Sequence, residues 1–231
     1  MGVQEKPIWC QAVKLGLEKI CCVIDSTKVV EKARQRCKLV EARLDLLGIN
    51  SGLKVVKKLS SSGLKVVATL RDWREGGMYR GPPEEKLDVL EKALEAGAWL
   101  VDVEYRFELL DRALERLKGK VILSYHNFNH TPEPEILYAM AGDMLRNGAT
   151  LAKIATMARR VEDNFRLLGI NARWPGKVIA FAMGSMGRLS RILAPIYGAP
   201  YTYATLSKPL APGQPTIDEI LYAWRLLGLQ S

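Results

Sequence analysis

Two periodicities alternate along the whole chain, and that alternation limits what it can fold into. Short apolar, β-branched runs recur at 19–24, 39–44, 65–70, 99–104, 120–125, 151–154, 177–182 and 200–205. Amphipathic stretches with helical spacing lie between them, among them 28–38, 84–95, 133–147 and 157–168. Gly97, Gly148 and Gly176 stand where helices must stop before the next strand begins. Eight strands alternating with helices in 231 residues match an α/β chain closed by right-handed crossovers, a (β/α)8 TIM barrel. An open doubly wound sheet would want a glycine-rich turn after its first strand, and Ile24-Asp25-Ser26-Thr27 has no glycine. Residues 1–231 are therefore expected to form a single barrel domain, with 1–18 as an N-terminal extension outside the repeat.

Chemistry in a barrel gathers at the C-terminal ends of its strands, and here those ends are charged. The second strand closes with Glu41, Arg43 and Asp45, which share one face at a two-residue period. The third ends at Arg71, the fourth at Asp102 and Glu104, the fifth at His126, and the sixth carries Lys153. Charges facing a barrel interior are costly unless paired. A structural ion-pair network would by itself account for Arg43, Asp45 and Asp102.

Lys153 stands apart because its chain neighbours are apolar or small, in Ala149-Thr150-Leu151-Ala152-Lys153-Ile154-Ala155. Burial disfavours an ammonium ion, and a desolvated amine is a nucleophile toward a carbonyl. His126 lies one strand–helix unit earlier, so its imidazole and the amine can reach one substrate, with the imidazole as general base near pH 7. The spacing of His126 and His130 also admits a zinc reading, but such spacing aligns two ligands only on a helix, and a loop is expected here. After the seventh strand, Met183-Gly184-Ser185-Met186-Gly187-Arg188-Leu189-Ser190-Arg191 can present backbone N–H groups and an arginine to an anion. The pair Gly76-Gly77 allows the loop after the third strand to fold over the site.

Taken in order, these segments resemble the type I 3-dehydroquinate dehydratase family from about residue 41 to 214. The resemblance is carried by Glu41-Ala42-Arg43-Leu44-Asp45, Thr69-Leu70-Arg71 with Glu75-Gly76-Gly77, and Asp102-Val103-Glu104. It continues through Ser124-Tyr125-His126 with Thr131-Pro132, Lys153-Ile154-Ala155, Met183-Gly184 to Ser190-Arg191, and Ala211-Pro212-Gly213-Gln214. It implies a Schiff base on Lys153, proton transfer by His126, and Glu75 as the carboxylate partner of the histidine. It also implies that Arg191 binds the substrate carboxylate, that Glu41, Arg43, Arg71 and Gln214 hold the ring hydroxyls, and that Tyr203 and Met183 line the pocket. Neither a metal nor an organic cofactor is implied. Nearby arginines are expected to add like-charge repulsion to the desolvation of Lys153. The chain departs from the family pattern at Leu210, where a serine is common and a backbone group or Ser207 is the expected substitute. A second departure is Asn127, where an aspartate is common.

Composition narrows the remaining classes. No apolar run has the length of a membrane span and the first residues lack a signal-peptide pattern, so a cytoplasmic protein is expected. Cys10, Cys21, Cys22 and Cys37 form no C-x-x-C pair and read as buried free thiols. The net charge of +9 is dispersed and interleaved with acids, so an anionic small substrate, or simply a charged, solvated surface, explains it as well as nucleic-acid binding does. Two alternatives remain open: a class I aldolase acting on a sugar phosphate, which shares the lysine logic, and a basic RNA-binding protein. The apolar face of 216–227 is the expected surface for a homodimer.

Overall fold

The computed structural model describes residues 14–207, 209 and 211–229. The elements run β1 (Ile20–Ile24), α1 (Val30–Arg36), β2 (Leu39–Arg43), α2 (Leu44–Leu47), α3 (Ile49–Ser61), β3 (Lys65–Thr69), α4 (Pro83–Glu95) and β4 (Leu100–Glu104). They continue as α5 (Leu110–Arg116), β5 (Val121–Asn127), α6 (Pro134–Arg146), β6 (Leu151–Met157), α7 (Glu162–Arg173), β7 (Val178–Met183), α8 (Arg188–Leu193), β8 (Thr202–Thr205) and α9 (Ile217–Leu226). All ladders are parallel, in the order β7-β6-β5-β4-β3-β2-β1-β8, which is a (β/α)8 barrel with one open seam between β7 and β8. At the top of that seam the Gly184 N–H donates to Pro212 O at 2.9 Å. A Cβ on Gly213 would lie 2.0 Å from Gly184 O, so only glycine allows this approach.

The two-residue strand period sorts side chains into two cores. Outward residues such as Val40, Ala42, Val66, Val101, Leu123, Ile154 and Ala180 pack against the helices. Inward residues Leu39, Val67, Leu100, Ile122, Leu151 and Ile179 form an apolar floor in the barrel. One pleat higher, the inward positions turn polar: Glu41, Thr69, Asp102, Ser124 and Lys153 are all buried. The strands thus carry an apolar base and a charged upper layer, and this gradient places the site at one end of the barrel.

Several boundaries differ from the sequence expectations. Strand β6 continues to Met157, where a helix was expected to begin, and α7 starts only at Glu162. The ladder partner Met183 holds Met157 in β6, and the Ala158 N–H donates to Met183 O. The expectation of free thiols fails for two of the cysteines: Cys22 and Cys37 form a disulfide between β1 and the end of α1, and Cys21 remains a buried thiol. Adjacent cysteines on a strand point to opposite faces, so Cys22 meets the helix layer and Cys21 the barrel interior. Cys10 and Leu210, which the sequence singled out, lie outside the described residues, as does most of the expected extension. Its last part is ordered against the C-terminal segment, with the Leu15 N–H donating to Leu229 O at 2.6 Å.

A disulfide closing a separation of 15 residues restricts the unfolded chain by about 3 kcal/mol. The double variant Cys22→Ala/Cys37→Ala is expected to lose about 2–4 kcal/mol in denaturant unfolding. An unchanged unfolding midpoint under non-reducing conditions would show that the two thiols are not joined.

Candidate active site

A cleft of about 620 Å³ opens at the C-terminal ends of the strands. The ten residues expected to catalyse or to hold the substrate line it: Lys153, His126, Glu75, Glu41, Arg43, Arg71, Arg191, Gln214, Tyr203 and Met183. Val23, Phe128, Ala155 and Phe181 complete much of the wall.

Lys153 projects inward from the middle of β6 and is 5 % exposed. Its apolar sequence neighbours Ala152 and Ile154 face the opposite way, into the helix layer. Inside the barrel its Nζ meets Asp102 Oδ2 at 3.1 Å and Glu41 Oε1 at 3.5 Å. It also lies 4.4 Å from the centroid of the Tyr203 ring. The expectation that arginines would surround the amine is therefore corrected: its direct charged contacts are two carboxylates. Arginine is one step further away, since Arg71 Nη2 sits 2.7 Å from Asp102 Oδ1. Sequence spacing did not assign Asp102 a role at the lysine, although its place on the inward face of β4 beside Glu104 was a usable signal.

Asp102 holds this layer together. Ser124 Oγ donates to its Oδ1 at 2.6 Å, and Arg71 Nη1 donates to Ser124 Oγ at 2.7 Å. Burial alone would raise the Asp102 pKa, but Arg71 and Lys153 override it and hold the carboxyl well below the usual range. Burial works against the Arg71 cation as well, and Asp102, Glu104, Glu75 and Glu41 together keep it firmly charged. Thr69 Oγ1 donates to Glu41 Oε1 at 2.9 Å, fixing the second carboxylate beside the lysine. Arg43 is committed on one edge to Asp45, at 2.9 and 2.6 Å, and turns its remaining surface to the cleft.

His126 sits two residues above Ser124 on β5, and Ser124 is the ladder partner of Lys153. Its partner comes from the loop after β3. A short 3-10 turn, Trp73–Glu75, is started by Asp72, whose side chain accepts from the Arg74 N–H, and is ended by left-handed Gly76. The turn brings Glu75 Oε2 to 2.9 Å from His126 Nδ1 and 3.1 Å from the His126 N–H. Gly77 is required for this fold-back, because a Cβ there would lie 2.0 Å from Arg71 O. Burial, followed by Arg71 and Lys153, pushes the His126 imidazolium well below its ordinary range. Burial, reinforced by Glu104 and Asp102 against Arg71, lifts the Glu75 carboxyl to about 7. A neutral imidazole with its Nδ1 proton directed at Glu75 leaves Nε2 as a free base.

Arg191 reaches the cleft from α8 and is 2 % exposed. Its Nε donates to Ala182 O at 3.2 Å and its guanidinium lies over the Phe181 ring at 4.3 Å. No carboxylate pairs with it among the described residues, and burial, with Arg188 nearby, pulls its pKa down to about 9. A buried, uncompensated cation facing a cleft is a seat for an anion. Part of the glycine-rich turn before it is engaged within the protein. The N–H groups of Gly184, Gly187 and Ser190 donate to Pro212 O, Gly184 O and Asn164 Oδ1, so they are not aimed at a ligand. Ser207, the expected hydroxyl substitute, is exposed, and its Oγ lies 3.2 Å from Asp25 Oδ2. Gln214 is buried at the cleft rim beside Ala211.

Comparison with known proteins points one way. The model of the family described as type I 3-dehydroquinase matches residues 21–231. A 3-dehydroquinate dehydratase of Dehalococcoides mccartyi is 38 % identical over 219 residues, covering 92 % of this chain and 97 % of the relative. Among solved structures, 3-dehydroquinate dehydratase from Geobacillus kaustophilus is 26 % identical with a TM-score of 0.80, covering 91 % of both chains. The type I 3-dehydroquinate dehydratase of Clostridium difficile, with covalently modified comenic acid, is 26 % identical with a TM-score of 0.79, covering 93 % of this chain and 94 % of that one. By sequence family and by fold, the chain belongs to the type I 3-dehydroquinases.

Proposed function

We propose that this protein dehydrates 3-dehydroquinate to 3-dehydroshikimate through a Schiff base on Lys153. The observation that carries the proposal is one cleft uniting a buried amine, a carboxylate-oriented imidazole and an unpaired buried arginine. Once its ammonium proton has passed to His126, the Lys153 amine adds to the ring ketone, and the carbinolamine, protonated by His126 on its hydroxyl, loses water to give an iminium. That cation acidifies the adjacent C–H bond by offering its electrons a sink. His126 Nε2 takes the proton, and the resulting enamine expels the neighbouring hydroxyl as water with a proton returned from His126. Hydrolysis of the iminium then frees product and amine. Arg191 holds the substrate carboxylate, while Glu41, Arg43, Arg71 and Gln214 grip the ring hydroxyls against Tyr203 and Met183.

A class I aldolase for a sugar phosphate shares the amine but needs a phosphate seat. Three of the backbone donors after β7 that could contribute to it, those of Gly184, Gly187 and Ser190, are already engaged within the protein. Membership of the 3-dehydroquinase family supports the same choice. The reading extends to a step of the shikimate pathway, to a cytoplasmic location, and to a homodimer formed on α9, where Tyr222, Leu226 and the following Leu227 are exposed. No helix among the described residues is long and apolar enough to cross a membrane.

The direct test is ultraviolet absorbance of the conjugated enone formed from 3-dehydroquinate. Steady turnover is expected, falling by roughly 10²–10⁴-fold in His126→Ala; absence of turnover by the unaltered protein would end the proposal. A pH profile tests the imidazole–carboxylate pair. Only ionised Glu75 accepts the Nδ1 proton, so kcat/KM should rise as pH climbs through about 7. The pair titrates as a unit, and Glu75→Gln removes the group responsible. That variant should lose this limb and reach a plateau roughly tenfold to a hundredfold lower. A limb unchanged in position would remove Glu75 from the role.

A further inference from the structure

Lys86 is a charged residue that the proposed mechanism does not use, yet it is only 1 % exposed. It lies on the inward face of α4 with Leu87, Val89, Leu90 and Ala93. Its stem carries the ammonium group between two rings, 6.0 Å from the Tyr79 centroid and 5.5 Å from that of Phe107. The Nζ forms an ion pair with Glu104 Oε2. Lys86 does not line the cleft.

The other oxygen of Glu104 faces the site. Oε1 accepts from Arg71 Nη1 at 3.1 Å and from the Asp72 N–H at 2.9 Å. One carboxylate therefore fixes both the guanidinium beside Asp102 and the root of the turn that delivers Glu75 to His126. This division of labour needs Lys86. With its ammonium removed, Oε2 is a buried anionic oxygen without a partner, a costly state in a dry environment. The carboxylate then relaxes by rotating both oxygens onto Arg71 or by taking up a proton. The first releases the Asp72 N–H and draws Arg71 from Asp102, and the second weakens both contacts at Oε1.

We propose that Lys86 is a positioning residue for the dehydration, acting through Glu104 to hold Arg71 and the Glu75 turn in working geometry. The proposal rests on the reaction assigned above, so its test includes a readout that needs no turnover. A structural ion pair alone would lower the stability of Lys86→Met without altering the folded molecules' kinetics or the His126 ring.

The experiment compares wild type, Lys86→Met, Lys86→Arg and Glu104→Gln, at a temperature where circular dichroism shows each folded. Kinetics with 3-dehydroquinate should show Lys86→Met raising KM, through Arg71, and lowering kcat, through Glu75, for a combined loss of roughly tenfold to a hundredfold. Lys86→Arg, which keeps the cation, should recover most of it. In parallel, proton NMR should show the His126 Nδ1–H downfield in wild type and Lys86→Arg, because Glu75 accepts it, and displaced or lost in Lys86→Met. Folded Lys86→Met with wild-type kcat, KM and imidazole proton overturns the proposal. If Lys86→Met does not fold, Glu104→Gln, which keeps the side-chain shape but cannot pair with the ammonium, carries the same prediction and the same refutation. If the wild type does not turn over 3-dehydroquinate, the assigned reaction fails, and the imidazole proton still decides whether Lys86 positions the turn.

Discussion

The ion pair between Lys153 and Asp102 in the interior of the barrel is the contact on which the rest of the site depends. Neither charge could remain there alone, because burial strongly penalises an unpaired ion. Asp102 is shared with Arg71 and Ser124, and Arg71 with Glu104. Through Glu104 the chain of contacts reaches Asp72, the turn bearing Glu75, and finally His126. Lys153 and His126, the proposed nucleophile and base, therefore belong to one charged layer anchored on β2 to β6.

That layer exists because the strands change character along their length. Their lower inward positions are aliphatic and supply the stability of the barrel, whereas the next pleat up is polar and is stabilised only by mutual pairing. Among the described residues Arg191 is the exception, a buried cation without a carboxylate partner, and the proposed substrate completes the charge balance there. A ligand that brings a carboxylate replaces what the protein omits. Tyr203 closes the layer from β8, with its ring against the lysine and edge-on to Tyr201.

Much of this was legible in the sequence, since strand alternation with helices and the two-residue spacing of charges are local signals. Period put Glu41 and Arg43 on one face, the end of a strand marked Asp102, and apolar chain neighbours marked Lys153 as buried. What period could not provide was which charge meets which. Lys153 read as an amine among apolar groups and arginines, because Ala152 and Ile154 are its chain neighbours but face the other layer. Its carboxylate partners come from strands 51 and 112 residues away in the chain. The Cys22–Cys37 link was hidden for a similar reason: pairing depends on how α1 returns to β2, a tertiary fact. Lys86 lies in the amphipathic stretch 84–95, where nothing in the sequence sets it apart, and the packing of α4 on β4 buries it.

The central claim is that the Lys153 amine becomes covalently joined to a substrate ketone. Borohydride added during turnover of 3-dehydroquinate reduces an iminium to a stable secondary amine, which peptide mass spectrometry can locate. The expected result is a single adduct of substrate or product mass on Lys153, with activity lost in proportion to labelling. An adduct confined to another lysine, or full activity and no adduct after reduction during turnover, would contradict it.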